Sequence, residues 1–153
     1  MIAASQGNIE LLNLHKTAFL CSRKVPASVV LKCYDWAIEQ REAGNCIISG
    51  FHSQLEKDVL HYLLKGKQPI IVALARGLKK RTERELQKKI DDGSLLIITP
   101  FEEQITRITK ETAILRNKLM TEIADEVVIG YVDEKGSLKY LLDNSSKRIS
   151  KLV

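Results

Sequence analysis

Five short polar clusters in this 153-residue chain carry the residue types that grip an anion. Four of them follow apolar runs: Ser22-Arg23 after AFLC, Ser49-Gly50 with His52 after CII, Arg76-Gly77 with Lys79 after PIIVAL, and Gly136-Ser137 beyond EVVIGY and a polar turn. The fifth, Arg116-Asn117, lies within a helical pattern, where successive side chains diverge and at most two can face one ligand. An arginine holds a phosphate in two parallel charge-assisted hydrogen bonds, and a glycine lets backbone N–H groups come close to it. Each feature also has a plainer structural role. Arg23 can be an exposed loop arginine, Gly50 a tight turn, Gly136-Ser137 a β-turn, and Lys79, Lys80 and Arg81 part of a solvated helix face that extends to Lys88 and Lys89. His52 has no carboxylate or nucleophile partner legible in the sequence, so it reads as a surface or phosphate-contacting histidine rather than a catalytic base. His15 and His61 read as structural.

These clusters matter because of what must position them. Residues 17–22, 45–49, 69–74, 94–99 and 126–131 are short, continuously apolar runs, the mark of strands buried on both faces of a parallel sheet. Helical patterns separate them: 26–43 with Pro26 in the first turn and Ala43-Gly44 at the end, and 53–65 with Ser53 and Glu56 in capping-box spacing. A charged helix from Lys79, ended by Gly93, and a longer one from Ile105 to Ile123 complete the set, while 137–142 reads as either a sixth strand or a short helix. The alternation implies an α/β fold: a three-layer, Rossmann-like, doubly wound, mostly parallel sheet. In such sheets ligands bind at the carboxyl ends of the strands, which is where the first four clusters fall. The whole of 1–153 reads as a single domain, with 1–16 as an N-terminal packing segment and 143–153 as a basic tail. Trp36 fits the helix's apolar face as a core residue rather than a base-stacking platform.

The composition, 44% hydrophobic and 28% charged, is that of an ordinary globular chain. No apolar run approaches the roughly 20 residues of a membrane helix, and the first ten residues lack the basic start and apolar core of a signal peptide, so the expected location is cytoplasmic with no membrane partner. Cys21, Cys33 and Cys46 lack metal-ligand spacing and read as buried small hydrophobes. The net charge of +5 suits an anionic partner. A P-loop, a Gly-rich dinucleotide fingerprint, zinc spacing, a nucleophile elbow and a carboxylate pair are all missing from the sequence. No catalytic residue, cofactor or metal is therefore expected, and a binding protein is favoured over an enzyme.

Taken in order, Ser22-Arg23, Ser49-Gly50, Gly77-Leu78, Arg116-Asn117-Lys118 and Gly136-Ser137-Leu138 resemble the motif series of the DNA-processing protein A (DprA/Smf) family, over roughly residues 17–142. The chain departs from the family pattern where Cys21 replaces a glycine, where residues 51–55 replace a run of small residues, where Lys79-Lys80-Arg81 replaces a proline-bearing turn, and at Lys118, which replaces an arginine. The resemblance implies a Rossmann-like core with Arg116 and Asn117 near the ligand edge of the sheet. It implies single-stranded DNA as partner, delivery to a RecA-type recombinase, and self-association as a homodimer. Phe51, Phe101 and Tyr131 are the aromatic rings near strand ends that could stack bases. The alternative is a nucleotide or nucleotide-derived signal bound in the same crevice, and a third reading is a degenerate structural dimer without a ligand.

Overall fold

In the computed structural model, which describes residues 1–152 and not the side chain of Ser137, the short apolar runs form the centre of a seven-stranded sheet. The elements in chain order are β1 (Ala4–Gly7), a 3-10 turn (Ile9–Asn13), β2 (Lys16–Leu20), α1 (Ala27–Ala43), β3 (Cys46–Ser49), α2 (Gln54–Leu63) and β4 (Ile70–Ala73). They continue with α3 (Arg84–Asp91), β5 (Leu95–Thr99), α4 (Lys110–Ile123), β6 (Glu126–Ile129), α5 (Ser137–Asp143) and β7 (Arg148–Lys151). The strand order is β1-β5-β4-β3-β2-β6-β7. All neighbours are parallel except β1, which runs antiparallel to β5.

Every residue of β2, β3, β4 and β5 is buried, because alternate side chains enter two different cores. On one face Phe19, Ile47, Val72 and Ile97 pack beneath α1 and α2, with Leu86 and Ile90 of α3 beside them. On the other face Ala18, Leu20, Ile48 and Ile71 meet Leu119 and Met120 of α4, Leu138 and Leu142 of α5, and Leu11 of the 3-10 turn. The three crossovers from β2 to β5 move steadily one way across the sheet, and β6 returns to the other side of β2. That reversal creates a switch point between the carboxyl ends of β2 and β6.

Local signals account for most element ends. Gly44 closes α1 with φ 75°, its N–H bonded to the Arg41 and Gln40 carbonyls. Ser53 and Glu56 form the expected capping box of α2. Two helices are shorter than their patterns. α4 starts at Lys110 rather than near Ile105, because Thr109 and Thr112 cap each other's backbone there. α3 starts at Arg84, since residues 77–83 form a loop held to the next one through the Gly77 N–H, which donates to the Ile105 carbonyl at 2.7 Å. The end segments, expected as a packing segment and a basic tail, each add an edge strand. Both strands are short and polar, carry no continuous apolar run, and owe their pairing to the backbone of a neighbour.

All three cysteines are free and buried as expected, and neighbouring Cys33 together with burial pushes the Cys21 thiol up from its ordinary value. No helix among the described residues is long and apolar enough to cross a membrane. Trp36 stacks on Phe19 with ring centroids 4.9 Å apart and an interplanar angle of 22°. It is 7% exposed and joins α1 to the centre of the sheet. Trp36→Ala is therefore expected to cost about 3 to 5 kcal/mol of folding stability, read from the urea midpoint at unchanged slope.

Candidate anion-binding crevice

The carboxyl ends of β2 and β6 open into a crevice of about 560 Å³ at the switch point. Its lining comes from the loops after β2 and β6, the residues leading into α2 and α4, the first turn of α2, and the first two turns of α4 as far as Asn117. Arg23, Lys24, Lys110, Arg116 and Lys135 supply cations, against the carboxylates of Glu56 and Asp133. None of these five cations is in an ion pair among the described residues.

Arg116 is the unusual one. It projects from α4 beneath the end of the sheet and is only 5% exposed. Its Nη1 donates to the Ala73 carbonyl at 3.1 Å and its Nε to the Asn117 side-chain oxygen at 2.7 Å. Burial lowers its pKa from the ordinary arginine value, opposed by the charge of Glu56. Gly50 makes room for it, since a Cβ at position 50 would overlap the guanidinium. The φ of Gly50 is not in the left-handed region, so glycine is present there for space rather than for backbone freedom.

The turn between β3 and α2 is fixed by three further residues. Ser49 is fully buried, and its hydroxyl accepts the Phe51 N–H at 3.2 Å. Phe51 itself has φ 46°, a left-handed conformation that costs a side-chain-bearing residue about 1 to 2 kcal/mol. The reversal points the His52 and Ser53 N–H groups at Glu56 Oε1, at 3.1 and 3.0 Å. A carboxylate of the chain itself thus occupies the helix N-terminus, a position that otherwise attracts anions.

The structure divides the sequence-derived residues. Ser22, Arg23, His52, Arg116, Asn117 and Gly136 line the crevice. Ser22 also ties its two lips together: its hydroxyl accepts the Asp133 N–H at 2.8 Å, and its own N–H donates to the Tyr131 carbonyl. Gly50, Arg76 and Lys79 line a neighbouring cavity, which His52 and Arg116 share. Ser49 and Gly77 line neither, and a Cβ on Gly77 would strike the backbone of Glu102 and Glu103, so both residues shape turns. Ser137 begins α5, and its side chain lies outside the described residues. Sequence reasoning missed Lys24, Glu56, Lys110, Asp133 and Lys135 as crevice residues. The capping-box spacing announced Glu56 as a cap without showing that the cap faces a site. Among the described residues no group of three His, Cys, Asp or Glu side chains is placed to hold a metal ion.

Sheet order and crevice together define a Rossmann-like α/β protein with a cation-lined switch point. The model of the DNA recombination-mediator protein A family matches residues 2–141, nearly the whole chain, and the chain belongs to that family. Among solved structures it is similar to DNA processing protein A from Helicobacter pylori, described for its single-stranded DNA binding mode, with a TM-score of 0.74 and 21% identity over 96% of this chain and 69% of that one. It is also similar to DNA processing protein A from Streptococcus pneumoniae, with a TM-score of 0.74 and 15% identity over 96% of this chain and 53% of that one. The chain thus spans about half of the Streptococcus protein. No curated protein matches it.

The fit of Arg116 over Gly50 gives a double-mutant test. Gly50→Ala alone is expected to destabilise the fold by about 1 to 3 kcal/mol through overpacking. In an Arg116→Ala background the same change costs less than about 0.5 kcal/mol, so urea titration of the four proteins shows a coupling of at least about 0.5 kcal/mol. Additive losses would contradict the contact.

Proposed function

We propose that this chain binds single-stranded DNA through its backbone phosphates in the switch-point crevice, as a component of DNA processing or recombination. The observation that carries the reading is Arg116, a nearly buried guanidinium with no carboxylate in ion-pair reach among the described residues and with a face toward the crevice. A charge withdrawn from water is costly unless an opposite charge meets it, and a phosphate in the crevice supplies that charge. Arg23, Lys24 and Lys135 are exposed on the lips around it, placed to take the neighbouring phosphates of a strand. Membership in the recombination-mediator family and likeness to a protein described for single-stranded DNA binding support a polynucleotide as the anion.

Such binding is insensitive to base sequence, because phosphate contacts position a strand without reading it. The aromatic rings fit this. Phe51 faces the neighbouring cavity, and neither Phe101 nor Tyr131 lines the crevice, so stacking adds little there.

Fluorescence anisotropy of a labelled oligothymidylate tests the reading. Affinity should fall with salt at a logarithmic slope of about 0.7 per phosphate contacted, and Arg23→Glu should weaken it at least tenfold. Equal affinity of mutant and wild type would overturn the assignment of the crevice.

A second expectation concerns pH. Burial, then the charge of Arg116, with a smaller push from Arg23, holds the His52 pKa below its usual 6.5, so the free protein carries it neutral at pH 7. A phosphate beside the ring favours the protonated form, so binding takes up a proton and affinity rises as pH falls from 7 toward 5.5. The same titration on His52→Gln should flatten this rise.

A further inference from the structure

On the other side of Arg116 lies a second cavity of about 540 Å³, within the range of small-molecule sites. His52, Ile108 and Arg116 form the wall between it and the crevice. The two cavities differ in chemistry. The floor here is apolar, built from Leu60 of α2 and Leu64 just past its end, Val72 of β4, Ile97 of β5 and Leu86 of α3. Of its cations, Arg76, Lys79 and Arg81 belong to the loop after β4, Arg116 stands in the partition and Lys57 is exposed on α2, so most of the charge is gathered by one loop on the rim of an apolar floor.

We propose that this cavity is a second binding site that takes a free nucleoside monophosphate, independently of the strand in the crevice. The three parts of such a ligand match three parts of the lining. A base is a flat, largely apolar group that displaces water from the leucine and valine floor. A phosphate finds Arg76, Lys79 and Arg81, of which arginine offers a bidentate fork. Glu83 and Glu85, which also line the cavity, are acceptors for ribose hydroxyls. A continuous polyanion matches this lining poorly, because in crossing the floor it would lay phosphates on Leu60, Leu64, Val72, Leu86 and Ile97. The proposal goes beyond the DNA reading and does not rest on it, since the floor and the loop of Arg81 lie outside the crevice.

Calorimetric titration of the full chain with AMP, GMP, CMP and UMP, backed by saturation-transfer NMR against silent heats, tests it. At least one nucleotide should bind saturably. Leu86→Trp, which fills the floor, and Arg81→Glu, which reverses an exposed rim charge, should each weaken that binding at least tenfold. Both should leave oligothymidylate affinity within about twofold of wild type. Arg23→Glu should bind the nucleotide as the wild type does, and saturating oligothymidylate should not displace it. If Leu86→Trp fails to fold, Arg81→Glu decides. Absence of binding by all four nucleotides would overturn the proposal. So would loss of binding in Arg23→Glu or displacement by the oligonucleotide, either of which puts the nucleotide in the crevice.

Discussion

The burial of one guanidinium governs the ligand edge of this sheet. Arg116 reaches from α4 under the ends of β3 and β4, and everything around it is arranged to admit a charge that an interior would ordinarily exclude. Gly50 gives up its side chain to leave space, the Ala73 carbonyl accepts one N–H group, and the Asn117 side chain accepts another. Glu56 moderates the field without pairing, because its carboxylate is committed to the backbone of His52 and Ser53. The cation is therefore anchored by hydrogen bonds but meets no ion-pair partner among the described residues.

From that constraint follows the division of the sheet edge into two compartments. Arg116 and His52 stand as a partition, with the charged switch-point crevice on one side and the apolar-floored cavity on the other. The loops forming each compartment are braced independently. Ser22 joins the loops after β2 and β6, while Gly77 pins the loop after β4 to the one after β5. Neither bracing residue needs to touch a ligand for the site to depend on it, since each fixes where the neighbouring arginine or lysine emerges.

Much of this was legible in the sequence, for identifiable reasons. The five central strands announced themselves because burial on both faces demands continuous apolar runs such as PIIVAL and LLIIT. The capping box at Ser53 and Glu56 and the glycine after Ala43 marked helix ends through local chemistry alone. What stayed hidden depended on contacts distant in the chain. β1 and β7 are polar edge strands whose pairing is supplied by β5 and β6. The start of α4 was obscured because Ile105 and Ile108 continue the helical spacing into a loop, although both are exposed. Ser49 and Gly77 carry the residue types of an anion site yet serve turns, and only the three-dimensional neighbours of each reveal it. Family resemblance places Arg116 near the ligand edge, but its burial against Gly50 is visible only once α4 is packed on the sheet.

The most direct test of the central claim is a crystal structure of the chain with a short oligothymidylate. A phosphate should lie in the crevice within hydrogen-bond distance of the Arg116 guanidinium, with the next phosphate on Arg23 or Lys24. A strand bound elsewhere on the surface, with Arg116 still facing an open crevice, would contradict it.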